Sequence, residues 1–179
     1  MSEQMPKLPS IIFGLAGWSG SGKTTLAEKL IHNFSRRGYK VGTIKHAHHK
    51  FETDIKGKDS WRHREAGAIN VIVSSDYRTA HFNHHTPSDA PSLSDLIKLS
   101  KGIDILLIEG FKKYDIPKIE IWRQEVDKPF LYTEDKHVHA IAIETRLDDC
   151  HIEQLDLNNI EEISDFILTS SKFKNSRLT

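Results

Sequence analysis

In 179 residues, 25 basic side chains balance 25 acidic ones, so no bulk charge draws the chain to nucleic acid or a membrane surface, and any anion site has to be local. A chain of this length buries roughly two thirds of its unfolded surface in one core, which sets the expectation of a single domain over 1–179 with flexible ends at 1–9 and 172–179. The one cysteine, Cys150, excludes an internal disulfide framework; with no apolar leader after "MSEQMPKLPS" it points to a reducing cytoplasm, and the longest apolar runs, "IIFGLAG" and "IDILLI", are far too short to span a bilayer.

Short β-branched runs alternate with segments of helical period. "IIFGLA" reads as a strand, and 24–37 follows with Leu26, Ala27, Leu30, Ile31 and Phe34 on one face, ended by Gly38. "KVGTIK" at 40–45 is the next strand, and the strand–helix–strand order predicts a parallel pair with a right-handed crossover. A helix over 58–67, a strand "NVIVS" at 70–74, a His-rich candidate strand within 77–85 and a short helix over 92–100 come next. "IDILLIEG" is continuous in apolar residues, the mark of a strand buried on both faces. Strands "KIEIWR" and "VHAIAI" lead to a closing helix, "NNIEEISDFILTSS", in which Asn159 and Glu162 are spaced as a capping pair. The pattern predicts an α/β fold of three layers, a mostly parallel central sheet flanked by helices, and the G-x-x-x-x-G-K-[ST] spacing within "GWSGSGKTT" makes the expected fold that of a P-loop NTPase.

"GWSGSGKTT" stands between the first strand and the first helix. Gly17, Gly22, Lys23 and Thr24 fill the spacing G-x-x-x-x-G-K-[ST] in the strand–loop–helix context that gives the motif meaning. Glycines at 17, 20 and 22 let backbone N–H groups turn onto an oxyanion, with Ser19 and Ser21 between them, and the helix start adds the positive end of its dipole. Lys23 is then expected at the β- and γ-phosphates, the Thr24 hydroxyl on Mg²⁺ and Thr25 near the α-phosphate. The spacing G-x-G-x-x-G is absent, which disfavours a dinucleotide fold.

A magnesium-bound triphosphate also needs a carboxylate. "IDILLIEG" has two, Asp104 and Glu109, about 16 Å apart at opposite ends of one strand. Ligands of open parallel sheets sit at the carboxyl ends, which selects Glu109 for the metal or its water and places the Gly110 N–H toward the γ-phosphate. After the second strand, Asp54 and Asp59 are candidates to orient water or join the metal, Asp59 being equally readable as a helix N-cap. Lys45, Lys58, Arg62 and Arg64 are readable as phosphate ligands or as a solvated basic face, with Arg62 favoured as a ligand. The histidines 46, 48, 49, 81, 84 and 85 have neither a thiolate companion nor the helical i, i+4 spacing of a zinc hydrolase, so solvent-facing imidazoles are the expected reading. Trp61 and Trp122 are read as packing or interface residues, not as base-stacking platforms.

With the P-loop, Lys45-His46, "GKDSWRHREAGA" and "IEGFK" in hand, the chain resembles the molybdopterin-guanine dinucleotide biosynthesis adaptor family, MobB, over most of residues 11 to 145. The resemblance implies a homodimeric GTP-binding protein with slow GTPase activity. It implies a place beside the guanylyltransferase that attaches GMP to molybdopterin, with Mg²⁺ and GTP as cofactors and molybdopterin as a further ligand. Carried over by position, Gly17, Gly22, Lys23 and Thr24 form the nucleotide and magnesium site, with Asp59 and Glu109 as acidic partners. Lys50 and Lys56 depart from the family pattern, where an acid and a proline are usual. The N-K-x-D box that reads guanine in many GTPases is missing; "TEDK" at 133–136 has the wrong order, which leaves Glu144 to Arg146, Asp148 and Asp149 as candidates.

Two other functions share these residues. A small-molecule kinase would use Asp54 or Asp59 as base and Arg62 or Arg64 to grip the acceptor. A metal-insertion GTPase would use the histidines as its delivery site.

Overall fold

The computed structural model describes residues 7–47, 51–111 and 114–169. In chain order its elements are β1 (Ile11–Ala16), α1 (Lys23–Arg36), β2 (Val41–Lys45), α2 (Asp59–Glu65), β3 (Asn70–Ser74), β4 (Thr79–Asn83), α3 (Leu93–Leu99), β5 (Ile105–Glu109), β6 (Lys118–Ile121), β7 (Val138–Ile143), β8 (Glu153–Asp156) and α4 (Ile160–Thr169). They fall into two compact units: Met1–His46 with Leu93–Thr179, and Ala47–Ser92.

The first unit is built on a six-stranded sheet of order β2-β5-β1-β6-β7-β8, parallel at every pairing. β1 and β2 are parallel, as their order in the chain predicts, but they are not neighbours, because β5 lies between them. Burial explains the exchange. Ile105 to Ile108 are all buried, so β5 needs an interior position, whereas β2 exposes Thr43 and Lys45 and suits an edge. β8, "EQLD", buries only Leu155, so neither alternation nor an apolar run marks it in the sequence.

Helices cover the sheet on both faces. Phe13 and Leu15 of β1 pack with Leu26, Leu30 and Phe34 of α1 and Ile163 and Ile167 of α4 in one core. Ile12, Leu106 and Ile108 point the other way, toward Leu93 and Ile97 of α3. Each fully buried side chain of this size contributes about 1.5–3 kcal/mol. α1 stops where its glycine predicts: Gly38 has φ +86°, and the N–H groups of Gly38 and Tyr39 turn back to the carbonyls of Ser35 and Phe34. At α4 the capping pair is half as expected. Asn159 Oδ1 accepts the Glu162 N–H at 3.2 Å, but Glu162 Oε2 accepts from the Asp156 N–H at 3.3 Å and not from that of Asn159.

β6 carries two buried charges on the face away from α1. Glu120 accepts the backbone N–H groups of Leu131 and Tyr132 at 2.8–3.0 Å, and Lys118 Nζ donates to Asp135 Oδ2 at 2.7 Å. Buried charges persist only when satisfied in this way. The pairings fasten the segment 129–137 to the sheet, where Trp122 and Phe130 pack beside Tyr132, Val138, Ile141 and Ile143.

The second unit holds α2 and the antiparallel hairpin β3–β4, registered Val71 to Phe82 and Ile72 to His81. The His-rich candidate strand is thus real, with its bounds at Thr79–Asn83. Asp54 is fixed within this unit, accepting from Ser60 Oγ at 2.8 Å and lying 3.1 Å from Arg64 Nε. Arg64 also lies over the Phe82 ring, 5.8 Å from its centroid. Ile69, Ile72, Val73 and Tyr77 are exposed along the hairpin.

Candidate functional site

The carboxyl edge of the sheet is where the chemistry gathers. Lys45, Glu109 and Leu15 are register partners across β2, β5 and β1, so their strands end at one level, and two residues beyond Leu15 the glycine loop begins. Gly17, Gly20 and Gly22 have φ of +147°, +84° and +90°, conformations that L side chains rarely adopt. Gly17 is required for space as well: a Cβ there would meet Ser21 Oγ at 2.5 Å and the Ile121 carbonyl oxygen at 2.6 Å. Gly22 is the N-cap of α1 and therefore supplies no capping side chain, and the first turn of the helix contains no acid. The positive end of a 14-residue helix faces the loop without a counter-charge of its own.

The predicted loop residues take distinct positions. Ser19 and Gly20 are exposed at the crown, Thr24 and Thr25 are exposed on the first turn, and Ser21 is buried with its Oγ lacking a hydrogen-bond partner among the described residues. Lys23 Nζ folds over the loop and donates to the Trp18 carbonyl at 2.7 Å, while Trp18 Nε1 donates to the Pro129 carbonyl at 2.8 Å.

Thr24 and Glu109, 85 residues apart in sequence, come together. The Thr24 hydroxyl lies 3.2 and 3.4 Å from the two carboxylate oxygens of Glu109. Magnesium takes hard oxygen ligands and retains several waters, so a hydroxyl and a carboxylate make a fitting protein contribution. Lys45 supplies a stand-in for such a cation, its Nζ 3.3 Å from Thr24 Oγ1 and 3.4 Å from Glu109 Oε1. Gly110 follows at φ +96°, where a Cβ would lie 2.9 Å from the His46 carbonyl oxygen, and the His46 N–H donates to the Glu109 carbonyl at 2.9 Å. The ends of β2 and β5 are therefore held close. Asp104, at the other end of β5, accepts the Lys40 N–H at 2.8 Å.

Asp59 and Arg62 meet each other within the second unit. Asp59 is the first residue of α2 after the N-cap Lys58, makes no capping hydrogen bond, and has a carboxylate oxygen 4.0 Å from Arg62 Nη1, both side chains being well exposed. Among the described residues no group of three or more His, Cys, Asp and Glu forms a metal-binding cluster. The His46 ring packs on Phe111 at 4.9 Å, His81, His84 and His85 are exposed, and His48 and His49 lie outside the described residues.

Sequence reasoning missed Arg123. Its guanidinium lies against the loop, Nε standing 3.3 Å from where a Cβ on Gly22 would be, and Nη1 pairs with the Glu144 carboxylate at the end of β7. The carboxyl-end rule that selects Glu109 on β5 also selects the residues just beyond β6, but only once β6 is known to lie beside β1. Trp122 donates its Nε1–H to the Lys128 carbonyl and packs on Phe130, the packing role expected of it.

Comparison with known proteins agrees with this geometry. The family model for molybdopterin guanine dinucleotide synthesis protein B matches residues 12–144. A molybdopterin-guanine dinucleotide biosynthesis adapter protein of Haemophilus influenzae is 42% identical over 174 residues, covering 93% of this chain and 90% of its own. The protein of the same name from Escherichia coli is 39% identical over 162 residues, covering 88% and 91%. The crystal structure of Bacillus subtilis MobB superposes with a TM-score of 0.64 at 27% identity, over 89% of this chain and 96% of that one. With its all-parallel sheet, its glycine loop and these matches, the chain belongs to the molybdopterin guanine dinucleotide synthesis protein B family, MobB.

Proposed function

We propose that the chain is an adaptor of molybdenum cofactor biosynthesis that binds Mg²⁺·GTP, hydrolyses it slowly, and assists the guanylyltransferase that converts molybdopterin to its guanine dinucleotide. The observation that carries the nucleotide reading is the juxtaposition at the carboxyl edge of the sheet: an uncapped α1 start, three glycines at positive φ, and the Thr24–Glu109 pair. In this reading the loop N–H groups and Lys23 hold the β- and γ-phosphates. Thr24 and Glu109 would hold the metal and its water, and such a metal would supply neutralisation of phosphate charge. The Gly110 N–H serves the γ-phosphate and Thr25 the α-phosphate, while the family pattern assigns Asp59 to the metal and its water and Arg62 is taken as a phosphate ligand. Molybdopterin is the further ligand, and residues 1–179 work as one nucleotide-binding domain in the cytoplasm.

The proposal includes a homodimer. Ile69, Ile72, Val73 and Tyr77 are exposed apolar side chains spread over the two faces and the turn of one hairpin, and exposed apolar residues of this kind are candidates for an interaction site. Sedimentation is expected to give twice the chain mass, and Ile72→Asp to lower it to one chain; a wild-type monomer at micromolar concentration would rule out the dimer.

The nucleotide reading is tested at Lys23. Lys23→Ala should weaken triphosphate binding by about 2–4 kcal/mol, the scale of charge-assisted contacts to phosphate, with the fold intact. Equal affinity of variant and wild type by calorimetry would mean that the cradle lies elsewhere.

A further inference from the structure

Lys45 stands at the carboxyl edge in a position that neither the P-loop pattern nor the need to bury a core explains. It ends β2, an edge strand, where lysines are common because they discourage further strand pairing. A lysine serving that purpose alone points into solvent. This one lies in the site, in register with Glu109, with its ammonium against both the Thr24 hydroxyl and the Glu109 carboxylate. Those are the two groups fitted to a hard cation, and the three functional groups form a closed triangle with edges of 3.2, 3.3 and 3.4 Å.

The triangle has a consequence for metal binding. An ammonium and a magnesium ion cannot share the same two oxygens, because like charges at contact distance repel strongly wherever water is partly excluded. The Glu109 side chain is only 15% exposed, so water screens that end of the pair poorly. The Lys45 side chain is 58% exposed, and its four-carbon stem is free to carry the charge a few ångströms without any backbone movement. The backbone beside it is held, since the His46 N–H donates to the Glu109 carbonyl at 2.9 Å.

The place to which the ammonium would move follows from the chemistry of the ligand. Magnesium on a triphosphate bridges the β- and γ-oxygens. Thr24 and Glu109 would hold such a metal, and the γ-phosphate of its nucleotide would then lie at the same end of β5, beside the stem of Lys45. A diphosphate has no oxygen there.

We propose that Lys45 occupies the cation position in the nucleotide-free protein and moves onto the γ-phosphate when a Mg²⁺·nucleoside triphosphate binds, so that it selects triphosphate over diphosphate. This rests on the nucleotide reading given above. Lys23 grips phosphates that both nucleotides possess, whereas Lys45 is placed for the one that only the triphosphate has. It also makes Lys45 a competitor of magnesium when the nucleotide is GDP, since the ammonium then has nowhere better to go.

The test is calorimetric titration of the wild type, K45A, K45M and K45R with a non-hydrolysable GTP analogue and with GDP, repeated across a magnesium series. The expected result is a fall of about tenfold or more in affinity for the triphosphate analogue in K45A and K45M, the loss of one charge-assisted contact. GDP affinity should stay within about twofold, which also shows that the variants are folded, and half-maximal GDP binding should need less magnesium. K45R should keep part of the preference. An unchanged ratio of triphosphate to diphosphate affinity in K45A, or an equal loss of both, would overturn the proposal and leave Lys45 as an edge-strand charge. Those outcomes differ from the failure of the nucleotide reading itself, in which the wild type binds neither nucleotide.

Discussion

Single residues in the loop differ in why they must be what they are. Gly17 and Gly20 both stand at positive φ, but a Cβ on Gly17 meets Ser21 Oγ and the Ile121 carbonyl within 2.6 Å, whereas one on Gly20 meets nothing within 4 Å. Gly20→Ala should therefore cost only the conformational term, about 1–2 kcal/mol. Gly17→Ala should cost that plus about 1–3 kcal/mol of overpacking. Urea unfolding of the two variants measures the gap, and equal losses would mean that the close approach at Gly17 relaxes freely. This is also where the sequence was most legible. Glycine spacing with a following Lys-Thr is a pattern with a geometric cause, so Gly17, Gly22, Lys23 and Thr24 are readable directly. Arg123 is not, because its role depends on which strand ends beside the loop, and no local pattern records that β6 lies next to β1.

At the scale of elements, the sequence reveals those whose burial leaves a period and hides those whose burial does not. β5 is visible as a continuous apolar run, and α1 by its helical stripe. β8 is hidden because it buries one leucine, and the exchange of β2 and β5 is hidden because strand order is a contest over which strand is the more apolar. β6 is a strand whose charges look solvent-facing in sequence yet are buried, since Lys118 and Glu120 fasten 129–137 down. Glu120→Ala would leave two inward N–H groups without an acceptor, at about 1–3 kcal/mol each. Denaturant unfolding should register a loss on the order of 2–5 kcal/mol, and a change under about 0.5 kcal/mol, the level of an ordinary surface substitution, would show that the segment is held by other means.

Acid is expected to weaken the same region through His139. Burial, reinforced by His137 and Lys118 and opposed by Asp135, holds the His139 imidazole below its ordinary value of 6.5. The folded protein thus binds fewer protons at this group than the unfolded chain does in the window just below 6.5. The group's contribution to stability is complete above that value, falls as the pH drops through it, and levels off below the folded value. His139→Gln should flatten this part of the curve of unfolding free energy against pH, and an identical acid limb in the variant would assign the sensitivity to another group.

The first unit is built on a parallel sheet whose carboxyl edge carries the site's charges. Thr24, Glu109 and Lys45 come from α1, β5 and β2, and no pair of them is close in the chain; the sheet order assembles them. That is why the fold class and the loop could be inferred from sequence while the complete constellation could not. Asp59 and Arg62 show the complementary case: their motif, "GKDSWRHREAGA", is visible at once in the sequence, yet it belongs to the second compact unit. In the proposed function the carboxyl edge holds the phosphates of a guanine nucleotide. Titration of the purified protein with GTP and ATP in Mg²⁺, following heat and then phosphate release, is expected to show selective binding of GTP with slow release of phosphate. Preferential binding of ATP, or binding of neither nucleotide, would mean that the edge does not serve guanine nucleotide.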